Sequence, residues 1–476
     1  MGNGGRAPTR APHLARRGLR RRTSVVALLV IAVAAVFAAE AQAYVSGDLI
    51  YARRIGKSTS EAGALTVAAG PDGVTAIAGW KYVDGVGQAP MVAKYNVSGD
   101  RKWLRTYSDA GTGSADAVAI DSYGNVFVAA TIDAGSGGDI VLLKYASDGT
   151  LRWTRVYDGP AHDSDYVAAL LIDKAGDVIV VGQSRPTTED WGIVVLKYSR
   201  SGAMLWLEPA RFDPDPVDPD AGSYYVEDAA RDADGNIYVA GSSEYQVGGE
   251  MIESALMVKF AAADGVKQWG QVYAAHTNPH AYFDEVAVRG TAVVGVGSTW
   301  PTTGELEDAL VVKYDSGGTE KYWREWGAGN GTGEWFGDVV IDGSGYVYVT
   351  GCQWLDTVDG YGKTVTMKLK PDLSTAWKAT YLPTSRWAEG WYLVRDSQDN
   401  IYVAGGKWTS GGLVDVLTIR YSSTGVRKWL NVWSAGGPGD DWAEGIVVGT
   451  EGGVYVAGEV TNKDDYLQAA LLKYKR

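Results

Sequence analysis

Four histidines, six phenylalanines, six methionines and a single cysteine are all that a chain of 476 residues holds of those types. Cys352 alone cannot make an intrachain disulfide, so the fold has to hold by burying apolar surface. The residue itself reads as a small buried side chain at a strand end. No Gly-x-Ser-x-Gly elbow is present, and beyond residue 43 the histidines reduce to His162, His276 and His280, which leaves few groups for acid–base or nucleophilic chemistry. Basic residues are also short, 44 against 57 acidic, for a net charge of −13. Such a surface repels phosphates and anionic lipid, which argues against nucleic acid as a partner. What is plentiful is 62 Gly, 28 Tyr and 18 Trp beside abundant Val. That mixture suits pleated strands joined by tight turns, and the chain reads as all-β.

The first forty-three residues stand apart. Arg6, Arg10, Arg16, Arg17, Arg20, Arg21 and Arg22 precede the apolar run Val25–Ala39, and Ala41-Gln42-Ala43 follows it. The run counts 15 residues, short of the roughly 18 needed to span a bilayer, and small-x-small is a cleavage pattern. The layout predicts a signal peptide over 1–43 cut after Ala43, a secreted or extracytoplasmic protein, and no stable membrane insertion after cleavage. Arg21-Arg22 also permits twin-arginine export. Removing the leader takes away seven Arg and one Glu, so 37 basic residues face 56 acidic ones, net −19.

The rest of the chain repeats. A Lys-Tyr pair ending an apolar strand recurs as Lys94-Tyr95, Lys144-Tyr145, Lys197-Tyr198, Lys259-Phe260, Lys313-Tyr314, Lys368-Leu369, Arg420-Tyr421 and Lys473-Tyr474. Nine or ten positions later stand Trp103, Trp153, Trp206, Trp269, Trp323, Trp377 and Trp429. Upstream of each pair a strand closes on Gly, as in Asn236 to Gly241 and Asn400 to Gly405, preceded by a hairpin turn such as Asp121-Ser122-Tyr123-Gly124-Asn125. Gly supplies the positive φ of that reversal and no metal is needed. Each unit therefore reads as strands A, B, C and D, which make one four-stranded blade.

Eight units predict an eight-bladed β-propeller in a single domain over 44–476. The units fall at approximately 62–108, 114–157, 164–212, 223–274, 281–328, 334–382, 387–434 and 441–476. The last unit lacks strand D, and Gly47 to Arg53 matches Gly99 to Arg105 with Tyr51 in the Trp position. Residues 46–56 should therefore complete the last blade, closing the ring and removing a sheet edge. The unit, with Asp-x-x-Gly-Asn, Val-Tyr-Val-Ala-Gly and Asp-x-Leu-Val-Leu-Lys-Tyr, resembles the SBBP-type β-propeller repeat of secreted bacterial proteins, best at Asp121 to Tyr145 and Asp342 to Gly351. That resemblance implies a propeller and export, and carries no catalytic motif.

Residues present in every unit are explained by the blade, so the Lys-Tyr pairs and strand D tryptophans read as structural, with the lysine amine reaching water. The exceptions gather at the D-to-A connections and B-to-C loops. Near the start of strand A stand Tyr166, Tyr225, Tyr282, Trp335, Trp387 and Trp442, with Asp165, Glu227, Asp284, Glu389 and Glu444. Just after strand B come Trp80, Trp300, Trp354 and Trp408, with Trp191 further along its loop. Aromatic faces among carboxylates suit sugar rings and cationic peptides. The reading is a ligand-binding rim for an extracellular glycan or protein, on a monomer without cofactor.

Rim acids such as Glu389 and Glu444 would serve a secreted carbohydrate-active enzyme. The turns Asp148-Gly149 before Trp153 and Thr424-Gly425 before Trp429 resemble the tryptophan-docking repeats of quinoprotein dehydrogenases, but the adjacent Cys pair is missing, which implies a cofactor-free relative. His276, His280 and Asp284, and the Asp-Pro insertion Phe212 to Asp220, suggest cations, but the first segment reads as a loop and the second lacks the Gly and terminal acid of a calcium loop. No metal site is expected.

Overall fold

Among the described residues, alternating apolar residues between Gly turns form thirty-two strands, which pair into eight four-stranded antiparallel sheets. The computed structural model describes residues 49–476 apart from 58, 110, 136, 186–190, 209–221, 274–277, 301–305, 328–331, 357–360 and 385–386. The leader expected over 1–43, His276 and the insertion from Phe212 to Asp220 fall outside the described residues. No α-helix occurs among the described residues.

Each sheet is a blade, and the blades stand in chain order around a ring. The innermost strands, A, are Ala62–Ala69, Thr112–Ile120, Asp165–Ile172, Tyr224–Arg231, His280–Arg289, Glu334–Ile341, Ala388–Arg395 and Trp442–Val448 in blades one to eight. Each touches the strand A of the next blade, the last touching the first. Val, Ile, Ala and Tyr side chains fill the spaces between neighbouring sheets, so each of the main core clusters draws on adjacent blades.

The ring closes as the repeat count requires. Leu49–Ile55 is the outer strand of blade eight and pairs antiparallel with Leu467–Tyr474, with Arg53 opposite Leu471 and Ile55 opposite Ala469. It also reproduces the contacts of a normal strand D. In blade one, Trp103 Nε1 donates to Ser147 O (3.0 Å) and Arg105 Nε donates to Gly149 O (2.7 Å), both in the C–D turn of blade two. A Cβ on Gly149, φ +83°, would lie 2.6 Å from the Trp103 ring. In the closing strand Arg53 Nε donates to Gly99 O at 2.7 Å, and a Cβ on Gly99 would lie 2.7 Å from the Tyr51 ring. The outer strands of blades one and eight thus clasp a glycine turn of the next blade, where a side chain would push the ring off.

Two sequence expectations change here. Three lysines of the Lys-Tyr pairs are tied inward instead of reaching water. Lys94, Lys144 and Lys473 are buried, and their amines donate to carbonyls of the next blade: Lys94 to Gly124 O (2.6 Å), Lys144 to Arg200 O (2.7 Å) and Lys473 to Val97 O (2.9 Å). A desolvated ammonium needs such acceptors, so the pair is an interblade tie. The glycines taken to close strand B lie inside it. Every strand A carries a β-bulge at one level, at Leu65, Asp116, Ala168, Glu227, Asp284, Gly337, Trp391 and Glu444. Opposite the bulges the strand A carbonyl crowds strand B: a Cβ on Gly351 would sit 1.8 Å from Trp335 O, and one on Gly405 2.0 Å from Glu389 O. The glycine marks a close backbone approach, not a strand end.

Candidate functional site

Strand A begins, and strand B ends, on one face of the ring, with the D-to-A connections and B-to-C loops. Because strand B continues past its glycine, Trp80, Trp300, Trp354 and Trp408 belong to its ladder instead of a following loop. Trp80 pairs with Pro90, Trp354 with Gly362, Trp408 with Val414, and Trp300 with His280.

The aromatic set expected as one rim divides into two kinds. Trp80, Trp191, Trp300, Trp335, Tyr225 and Tyr282 are buried, Trp335 at 4% and Tyr282 at 1% exposure. Two of them are tied inside the protein by their polar atoms: Trp80 Nε1 donates to Glu459 Oε1 (2.6 Å) and Tyr225 Oη to Glu244 Oε2 (3.2 Å). Trp300 is stacked on His280 at 5.2 Å and meets the tilted Tyr282 ring at 5.4 Å. These rings fill blade junctions, so no ligand face is available on them without local opening. Tyr166 is half-buried against Trp191, 5.3 Å between centroids, with the Arg185 guanidinium 4.4 Å from the Trp191 ring.

Blades six to eight differ. Trp354, Trp387, Trp408, Trp442 and Trp391 are all half-buried and form one unbroken series. Ring centroids are separated by 5.9 Å from Trp354 to Trp387, 6.0 Å on to Trp408, 5.6 Å on to Trp442, and 5.1 Å from Trp442 to Trp391, the last pair stacked at 28°. The arc crosses from the outer end of strand B in blade six to the bulge of strand A in blade seven. Small neighbours leave room for it: a Cβ on Gly362 would lie 2.8 Å from the Trp387 ring and one on Gly406 3.1 Å from the Trp391 ring.

Glu389 sits inside this arc. Its Oε1 accepts from Trp387 Nε1 and its Oε2 from Trp391 Nε1, each at 2.7 Å. Both oxygens are therefore occupied in fixing two ring planes. Glu444, at the bulge of blade eight, accepts from Tyr392 Oη at 3.5 Å. The two glutamates belong to one sector, but Glu389 acts there as a clamp on indoles.

Glu227 and Asp284 are bulge residues of blades four and five, outside the arc, with Glu227 buried. Two further acids do a structural task that the sequence did not disclose. Asp228 Oδ2 accepts from the Val286 N–H of blade five (3.1 Å), and Asp338 Oδ2 from the Leu393 N–H of blade seven (2.6 Å). Strand A has no inner neighbour, and these carboxylates satisfy donors of its free edge. Burial, and more weakly the nearby Asp228, push the Asp338 pKa upward in spite of backbone donors. The cation reading of His280 and Asp284 also changes: the segment is the strand His280–Arg289, and His280 Nδ1 accepts from the Glu253 N–H at 3.2 Å. On the opposite face the ring opens on a cavity of 530 Å³ lined by Ala69, Val288, Ile341, Val394 and Val448 with Arg395.

No family model matches the chain, and no curated protein matches it in sequence. Among solved structures it is similar to Sqt1 from Chaetomium thermophilum, at 11% identity and a TM-score of 0.54, over 90% of this chain and 99% of that one. A polysaccharide lyase described as an ulvan lyase aligns at 13% identity and a TM-score of 0.48, over 87% of this chain and 95% of that one. The β-propeller domain of the trilobed protease from Pyrococcus furiosus aligns at 12% and 0.43, over 76% and 96%. The likeness shows the fold.

Of this propeller's site residues, Trp391 was the one missed in the sequence. It lies in strand A, where the repeat expects core. Aligning the eight bulge positions gives Leu, Asp, Ala, Glu, Asp, Gly, Trp and Glu, and that variability at one structural level is the signal that would have found it.

Proposed function

We propose that this chain is an exported propeller that acts as a ligand-binding module, holding an extracellular glycan on the tryptophan arc of blades six to eight. The observation that carries the reading is the continuity of Trp354, Trp387, Trp408, Trp442 and Trp391 as half-exposed rings. Elsewhere on the same face Trp80, Trp191, Trp300, Trp335, Tyr225 and Tyr282 are buried. Half-exposed indoles offer π faces to the C–H faces of sugars at little entropic cost, because two χ angles fix each ring and Glu389 already locks two of them. Export is supported by the Arg-rich leader and by the resemblance to SBBP-type repeats of secreted bacterial proteins. The reading requires no cofactor and treats the chain as a monomer.

A glycan array probed with the purified chain, with calcium and with chelator, tests this. A specific hit should weaken at least about tenfold in Trp387→Ala/Trp408→Ala, since each lost stacking contact is worth about 0.5–1.5 kcal/mol. Equal binding by the double variant overturns the assignment to the arc, and a blank array moves the reading to a protein partner.

A further inference from the structure

A second constellation lies on the same face between blades two and three, independent of the glycan reading. Asp139 stands near the start of strand C of blade two (Gly138–Tyr145), Asp158 just after strand D (Leu151–Tyr157), and Asp165 opens strand A of blade three. One carboxylate oxygen from each lies within 4.8 Å of the others. Three carboxylates from three separate stretches of chain are thereby brought to one point by the crossover from one blade to the next.

Close acids alone are common, but Asp165 adds a separate observation. It is 1% exposed, its Oδ2 accepts from the Gly159 N–H at 2.6 Å, and its Oδ1 is buried with no hydrogen-bond partner. A buried carboxylate oxygen left unpaired is costly, and native structures retain one where something else satisfies it. Gly159 is without a side chain where none would fit: a Cβ there would come within 2.4 Å of Ser184 Oγ and 2.6 Å of Asp165 Oδ1. Among the described residues the basic group paired with the three acids is His162, whose Nδ1 lies 2.7 Å from Asp158 Oδ2 and whose side chain is 75% exposed, free to swing away. Burial first, and then the neighbouring acids, raise the pKa of Asp139; burial raises that of Asp165 to about 6 against the Ser184 hydroxyl and the Gly159 N–H, with Asp139 and Asp158 adding to the rise. The cluster is thus short of positive charge.

We propose that Asp139, Asp158 and Asp165 bind a calcium ion that ties the blade two to blade three crossover. Ca²⁺ takes oxygen ligands at about 2.3–2.6 Å, so oxygens on opposite sides of one ion are separated by about 4.6–5.2 Å, and three oxygens within 4.8 Å of one another can share it. Carboxylates supplied by a connection and two strand ends also suit its tolerance of irregular geometry, where Mg²⁺ demands a tight octahedron. Waters complete the shell on the exposed Asp158 side.

The test uses the full exported chain stripped with chelator. Calorimetric titration with CaCl₂ should show binding, terbium should luminesce when the protein is excited, and millimolar calcium should raise the melting midpoint through preferential binding to the folded state. Asp139→Asn and the surface variant Asp158→Asn should each weaken calcium at least about tenfold and lose most of the thermal shift, while their midpoints in chelator show that both still fold. No heat and no shift with wild type, an undiminished response in both variants, or tighter binding of Mg²⁺ than of Ca²⁺ overturns the proposal.

Discussion

Asp396 shows how much of this molecule is carried by single polar residues. Its carboxylate collects the N–H groups of Gln398 (2.8 Å) and Asn400 (3.0 Å), the Asn400 side-chain amide (2.8 Å), Tyr402 Oη (3.2 Å) and Arg476 Nε (2.8 Å). Burial opposes its ionisation, but these donors outweigh it and hold the pKa below the usual 3.8; Asp232 and Asp342 are lowered in the same way. A folded-state pKa below the unfolded one means that the stabilisation is present above about pH 4 and is lost as pH falls through the folded value. Asp396→Ala should cost about 2–3 kcal/mol at pH 7 in chemical denaturation, from hydrogen bonds to a charged group. The deficit relative to wild type should shrink below pH 4, and a pH-independent deficit would contradict this account. The Asp-x-x-Gly-Asn hairpin turns were legible in sequence because donors and acceptor lie within five residues. The fate of the Lys94 amine was not, because its acceptors, Gly124 O and Ser147 O, belong to the next blade.

The blade gains its stability from contacts with its neighbour, and the outer strand is the element that makes them. Trp103 is 7% exposed, donates to Ser147 O and covers Gly149 of blade two. Trp103→Ala removes a large buried ring and an interblade hydrogen bond together, and should lower stability by about 3–5 kcal/mol in urea unfolding. A loss under about 1 kcal/mol would mean that the outer strands contribute little to blade docking. The four-strand unit was readable as an element because its period recurs. Its inner strand was not: a bulge shifts every side chain beyond it to the other face, so two adjacent residues such as Glu227 and Asp228 take different surroundings that period-two alternation does not foretell. Trp391, at the bulge of its strand, reaches the arc, whereas Trp335, two residues before the bulge of its own strand, is buried.

At the scale of the whole molecule the ring is held shut by one strand taken from the far end of the sequence. Deleting Leu49–Ile55 exposes the edge of Leu467–Tyr474 and removes the Tyr51 and Arg53 clasp on Gly99. The melting midpoint should drop by about 5 °C or more, and the exposed edge should promote association on size exclusion. An unchanged midpoint would show that blade eight holds without its fourth strand.

Eight copies of a unit, the strand order within it and the closing strand were all determined by the sequence, because a repeat prints its periodicity and its one missing piece directly onto the chain. What only the tertiary structure decided is which of the many rim residues face solvent. Trp335 and Trp442 hold the same place in their blades, yet the first is buried and the second half-exposed. Burial there is set by the side chains that the adjacent blades bring against each ring. Those neighbours are fifty or more residues away, and no local pattern encodes them.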